Sequence, residues 1–218
     1  MLKLYHLDRS PFGWKVRMVL EEKKVPYELV IPENKSEDQA FLKLNPFRLT
    51  PVLELEDGAT IYESTVINEY LEEKHPEPAM LPKDPYERAR IRMIEDTTDQ
   101  YLYVALREFR SAQFEYAPPF LVRKKADQVD HKLLETSRAK LHDHLTRLES
   151  ELAGRKYFGG AMFSFADVAL APPLTASMKL LSVLPDKRYP LIAAWSARVV
   201  ERASYVASAP KEPLRIRD

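Results

Sequence analysis

The stretch NPFRLTPVLELEDGATIYES, residues 45–64, decides the fold of this 218-residue chain. Its middle reads as a hairpin: residues 52–56 and 60–62 are strand-like runs joined at Asp57-Gly58, a dipeptide whose backbone tolerates positive φ. Asn45-Pro46 before it is a turn signal. Glu63-Ser64 after it opens a helix, since Val66, Ile67, Tyr70 and Leu71 share one helical face up to His75-Pro76. Upstream, residues 2–7 form a strand candidate ended by Asp8, Arg9 and Ser10. Beyond Phe12, Val16, Met18, Val19 and Leu20 recur at helical spacing as far as Lys23 and Lys24. Residues 27–31 are a second strand, closed by Pro32, and a short helix over Gln39–Leu44 leads back to the opening turn. The order β-α-β-α-β-β-α in about 75 residues predicts a mixed sheet covered by helices.

HPEPAMLPKDP, residues 75–85, contains Pro76, Pro78, Pro82 and Pro85 and cannot be continuous helix. It divides the chain into a first domain (1–76), a linker (77–85) and a second domain (86–218) expected to be all-helical. Ile91, Ile94, Leu102, Ala105, Leu106 and Phe109 mark one long helix. Leu134, Leu141, Leu145, Leu148 and Leu152 mark another, ending at Gly154. Residues 163–184 and 191–202 complete a bundle, with Pro172-Pro173 kinking or interrupting its third helix. Arg123-Lys124-Lys125 reads as a solvated helix face.

Lys+Arg and Asp+Glu both number 33, so the formal charge is zero and no global field draws nucleic acid or an anionic membrane surface. A hydrophobic content of 45% permits a substantial core. No apolar run approaches the roughly 18–20 residues that span a bilayer, and the amino terminus lacks a secretory layout. With no Cys, disulfides, thiolate metal sites and a cysteine nucleophile are excluded. His142 and His144, two apart, would point to different faces of a helix and make a poor metal pair. The expectation is a cytoplasmic protein with no metal, no membrane and no direct nucleic-acid partner.

A small mixed sheet, a Pro-rich linker and a helical domain resemble the layout of the cytosolic glutathione transferase family. SPFGWKVRMVLEEKKVPYE (residues 10–28) is similar to the first active-site segment of its tau and omega classes, and residues 45–64 are similar to their glutathione-binding segment. FSFADVALAPPL (residues 163–174) resembles the buried capping box of their helical domain, Ser164 and Asp167 forming the box. The resemblance covers essentially the whole chain. It implies a thioredoxin-like α/β domain followed by a helical bundle, a homodimer, glutathione as co-substrate, and a small hydrophobic electrophile as acceptor. Residues 62–92 and 199–208 also resemble stringent starvation protein A, an RNA-polymerase-associated member of this fold without evident transferase activity. That keeps a non-catalytic interaction protein open as the alternative.

The resemblance assigns Leu49, Thr50, Pro51, Glu63, Ser64 and Lys35 to glutathione. Thr50-Pro51 is expected cis, turning the main-chain N–H and C=O of Thr50 outward to pair with the cysteinyl unit as an added strand. Ser64, at the positive end of a helix, would hold the γ-glutamyl α-carboxylate and Glu63 the α-amino group; the plain alternative is a helix cap. Lys35 would meet the glycine carboxylate, although its spacing to Asn45 is about two residues longer than in the resembling classes, and an exposed loop lysine is the bland reading. Ser10 would favour the thiolate of bound glutathione from the amino end of the first helix, and it can also simply cap that helix. Tyr5 is the alternative activator, or a core tyrosine of the first strand. The lack of Cys argues against chemistry through a mixed disulfide on the protein. Arg48 stands where the family often has glycine. Tyr101, Tyr103, Phe109 and Phe114 are candidates either for the electrophile site or for core.

Overall fold

The computed structural model describes residues 1–32 and 39–217. In chain order its elements are β1 (Leu2–Tyr5), α1 (Pro11–Lys23), β2 (Tyr27–Val30), α2 (Gln39–Leu44), β3 (Val52–Glu54), β4 (Thr60–Tyr62) and α3 (Ser64–Lys74). Then follow α4 (Pro85–Thr97), α5 (Tyr103–Gln113), β5 (Phe114–Ala117), β6 (Phe120–Arg123), α6 (His131–Glu151) and α7 (Phe165–Ala171). The chain ends with α8 (Met178–Leu180), α9 (Pro190–Val200), α10 (Ala203–Ser208) and β7 (Arg215–Arg217). Two compact units result: Met1–Met80 with Arg202–Lys211, and Leu81–Glu201 with Glu212–Asp218.

The first unit is built on a four-stranded sheet of order β2-β1-β3-β4, with β1 parallel to β2 and antiparallel to β3. This is the thioredoxin-like arrangement. Leu4, Val16, Val19, Leu20, Leu53, Ile67 and Leu71 are fully buried, so α1 and α3 contribute the apolar faces that their periodicity marks. α1 starts where it does because Ser10 adopts an extended cap conformation and Pro11 supplies a preset φ at the first helical position. It ends at Lys24, whose left-handed φ of 53° closes the helix onto Glu21 and Leu20. Gly13 lets α1 approach β1: a Cβ there would stand 3.0 Å from the Cβ of His6.

The second unit centres on α7, every residue of which is buried. Ser164 caps it through Asp167, which accepts both the Ser164 N–H at 2.8 Å and the Ser164 hydroxyl at 2.7 Å. A π-helical stretch, Pro172–Ser177, follows, so the helix is altered but not broken where two prolines remove amide donors. Another, Thr98–Leu102, carries α4 into α5, the single long helix expected from the spacing. This unit is not wholly helical: β5, β6 and β7 form a three-stranded sheet. Arg123 accordingly ends a strand, and Arg123-Lys124-Lys125 is not a helix face. Phe109 and Phe114 are core residues, whereas Tyr101 is exposed. Arg202–Lys211, expected within the second domain, packs in the first unit.

Candidate functional site at one end of the first sheet

Tyr5 is in register with Val52, and Val52 with Tyr62, so the adjacent ends of β1, β3 and β4 lie side by side. Three segments enter or leave the sheet there: the turn carrying Ser10, the Thr50-Pro51 peptide, and Glu63-Ser64. The topology therefore gathers them at one sheet end although more than 50 residues separate the first from the last. β2 ends at the same edge, Val30 lying opposite Tyr5. Lys35 lies outside the described residues.

The Thr50-Pro51 bond is cis. Neither the N–H nor the C=O of Thr50 has a hydrogen-bond partner among the described residues. The turn that delivers it is tied by the buried Asn45, whose side chain donates to the Leu49 carbonyl at 2.9 Å and accepts from the Phe47 amide at 3.0 Å. Leu49 itself is exposed. Arg48 has φ 56°, inside the left-handed region. A non-glycine residue there costs about 1–2 kcal/mol, which is the physical reason a glycine suits this position.

Glu63 is more strained: φ 68° with ψ 115° immediately before α3. Its carboxylate makes no cap bond, and no partner holds it among the described residues. Such strain costs of order 1–3 kcal/mol and persists only where surrounding structure imposes it, commonly at ligand-binding positions. Ser64 is buried as the first residue of α3, and its N–H and hydroxyl are likewise uncommitted among the described residues. The start of α3 thus offers donors at its positive end beside an available carboxylate.

Ser10 and Tyr5 differ sharply. The Ser10 hydroxyl accepts from the Gly13 amide at 3.5 Å, the outer limit for such a bond, and donates to no acceptor among the described residues. Its position at the N-terminus of α1 puts it in the helix's positive field. The Tyr5 phenol instead donates to Glu54 Oε2 at 2.7 Å, and Glu54 also accepts from Lys3 at 3.1 Å. Burial, and then the Glu54 hydrogen bond and charge, push the Tyr5 phenol up to about 12. Its proton is engaged over the sheet, and its ring stands edge-on to Phe41.

Lys15 joins α1 to the first turn of α3. It lies within the apolar run of α1, four residues before the core residue Val19, yet it is buried and donates to Thr65 Oγ1 at 3.0 Å. A lysine at core spacing was the available signal. Among the described residues no cluster of three or more His, Asp or Glu is arranged to hold a metal, and no helix is long and apolar enough to cross a membrane.

Comparison with known proteins agrees with this architecture. The family model for the glutathione S-transferase N-terminal domain matches residues 4–79, and that for the C-terminal domain matches residues 109–203. A probable glutathione S-transferase, parC, of Nicotiana tabacum is 30% identical over 210 residues, covering 94% of this chain and 87% of the relative. The crystal structure of a glutathione S-transferase from Rhodospirillum rubrum superimposes with a TM-score of 0.80 at 31% identity, covering 99% of this chain and 96% of that one. A glutathione S-transferase structure from Methylobacillus flagellatus, with glutathione bound, gives 0.77 at 28% identity, covering 96% and 100%.

Proposed function

The chain belongs to the glutathione S-transferase family, and from that premise we propose that it binds glutathione at this sheet end and joins its thiolate to a small hydrophobic electrophile. The observation that carries the reading is that the main-chain N–H and C=O of Thr50 have no partner among the described residues, beside a cis proline and at the same sheet end as the amino termini of α1 and α3. An extended cysteinyl unit satisfies both groups as one added strand rung. The γ-glutamyl α-carboxylate then meets the Ser64 donors, and its α-amino group meets Glu63. Leu49 flanks the cysteinyl unit, and Lys35 is the partner proposed for the glycine carboxylate.

Ser10 is the thiol-activating group in this scheme. A free thiol has a pKa of about 8.5, so little thiolate exists at neutral pH without help. The Ser10 O–H donates a hydrogen bond to sulfur, and the α1 amino terminus favours negative charge there. The thiol proton leaves to solvent. The sulfur lone pair then forms a C–S bond with the electrophilic carbon, and the displaced electron pair departs with the leaving group or enters the acceptor's π system. Tyr5 is less suited, because its proton is committed to Glu54 and its phenol is held at high pKa. The same reading makes the protein a cytoplasmic homodimer acting in detoxification, with no metal and no nucleic-acid contact of its own.

Retention on immobilised glutathione followed by turnover of 1-chloro-2,4-dinitrobenzene tests this directly. Ser10→Ala is expected to lower kcat by about 100-fold, the effect of removing one preorganised donor, with little change in glutathione Kd. Equal activity in that variant reassigns thiol activation to Tyr5 or to the backbone. Absence of wild-type turnover with every electrophile tried, alongside a stable complex with RNA polymerase, overturns the enzyme in favour of an interaction protein like stringent starvation protein A.

A further inference from the structure

The three-stranded sheet of the second unit has an open edge at β7. Its order is β5-β6-β7, so β6 is paired on both sides and β7 on one. Among the described residues no helix or strand other than β6 packs along β7 to a similar extent. The Arg215 amide donates to the Pro119 carbonyl at 3.1 Å. In a parallel ladder alternate residues bond to the neighbour, so Arg215 and Arg217 bond to β6 while the N–H and C=O of Ile216 point to the free edge. Paired residues share a face, and successive residues alternate. One face therefore carries Ile216 with the buried Leu121. The other carries Ala117, Phe120 and Arg215 in one row, and Glu115, Val122 and Arg217 in the next. Both arginines are exposed, and neither is ion-paired among the described residues. The Arg217 guanidinium lies over the Phe120 ring, 5.7 Å from its centre. Glu115, the acid of that face, is two strands away from Arg217, about 9–10 Å by strand spacing.

An exposed edge can pair with any extended chain, and basic side chains are one guard against this. Here the guard is selective: like charges oppose a second β7, whereas a strand with acids at the same spacing is attracted. We propose that β7 is a docking edge for an extended acidic segment of another protein, added antiparallel as a fourth strand. One apolar residue of that segment exchanges both main-chain hydrogen bonds with Ile216, and the acidic residues on either side of it face Arg215 and Arg217. The recognised pattern is acidic–apolar–acidic. Main-chain bonds supply the attachment, and the two carboxylates choose the partner. The β5 edge of a second copy fits less well, because its sequence FEYA carries a single acid and a β5-to-β7 join repeats without closing.

Fluorescence anisotropy of the full chain with a fluorescein-labelled Glu-Val-Glu-Val-Glu peptide tests this. The isomer Glu-Glu-Glu-Val-Val, equal in charge but without the alternation, is expected to bind about 10-fold more weakly. N-methylation of the valine amides is expected to abolish binding, whereas N-methylation of the glutamate amides, which face away from β7, leaves it unchanged. Arg215→Gln combined with Arg217→Gln is expected to weaken binding about 10-fold, the scale of two exposed ion pairs. Ile216→Pro removes the outward donor without touching a bond to β6, and a loss of about fivefold is expected. If that variant unsettles the strand, the N-methylated peptides decide the matter, since they leave the protein intact. Equal binding of the two isomers, or indifference to both methylation patterns, overturns strand addition in favour of general attraction for anions. Absence of binding at about 1 mM peptide overturns the proposal outright. A single-stranded oligonucleotide that binds more tightly than either peptide, and loses this in the arginine variant, reassigns the edge to nucleic acid.

Discussion

His6 follows β1 and lies beneath α1, 1% exposed, with neither ring nitrogen hydrogen-bonded among the described residues. Burial, and then the nearby Arg17 guanidinium, push its pKa down to about 4, while the Leu7 backbone and then the Asp8 carboxylate oppose them. The unfolded chain has an imidazole near about 6.5, so the fold favours the neutral ring. This contribution to stability is complete above about pH 6.5 and is lost as pH falls towards 4. At pH 4.5 the loss from this residue is on the order of 2–3 kcal/mol, since each pKa unit is worth a little over 1 kcal/mol. Urea melts of the wild type and His6→Leu at pH 7 and 4.5 measure it: the variant's stability should fall by roughly 2–3 kcal/mol less. Parallel declines would show that His6 does not titrate in this way. Residue by residue, the cis Thr50-Pro51 bond and the start of α3 at Glu63-Ser64 were legible because backbone geometry is encoded locally. The engagement of Tyr5 with Glu54 and of Lys15 with Thr65 depends on strand register and helix contact, which no local spacing specifies.

At the scale of elements, the first domain was readable because each strand and helix is bounded by a turn or cap with its own chemistry. The second unit's small sheet was not. β5 and β6 are four residues each, too short to display alternation, and β7 pairs with β6 from the far end of the chain. The π-helical stretches were invisible for a related reason: apolar periodicity reports which face is buried and passes smoothly over one extra residue in a turn. The Ser164-Asp167 box was legible, but its reach was not. Besides Ser164, the fully buried Asp167 carboxylate accepts the Phe158 amide at 3.0 Å and the Trp195 indole N–H at 2.8 Å, joining α7 to a turn and to α9. Burial raises its pKa although all four donors favour the charged form. Asp167→Ala orphans these donors, so a destabilisation of at least about 3 kcal/mol is expected, against about 1 kcal/mol for Ser164→Ala. Chemical denaturation followed by Trp fluorescence separates the two. A cost near 1 kcal/mol for both would reduce Asp167 to an ordinary cap.

Across the whole molecule, the chain changes unit at the Pro-rich segment, again at Glu201–Arg202, and a third time at Lys211–Glu212. Prolines announce the first change. The second falls inside VVERASYVAS, whose helical pattern names a face to be covered without naming the surface that covers it. That surface is α1. Trp14 stacks obliquely on Tyr205 with ring centres 5.1 Å apart, and its indole N–H donates to Ser208 Oγ at 3.0 Å. Arg202 grips Glu22 through Nε at 2.9 Å and Nη2 at 2.7 Å, and the Ser204 hydroxyl donates to the same carboxylate. Residues from the last tenth of the chain therefore fix the helix whose amino terminus carries Ser10. If α10 acts as this brace, Tyr205→Ala combined with Ser208→Ala should loosen α1 as a local unit. Amides of residues 12–23 are expected to exchange about 10-fold faster, corresponding to about 1.4 kcal/mol of lost protection, while those of β5 and β6 keep theirs. Hydrogen exchange resolved by mass spectrometry distinguishes this outcome from a uniform rise. A uniform rise would mean that the segment supports global stability and not the posture of α1.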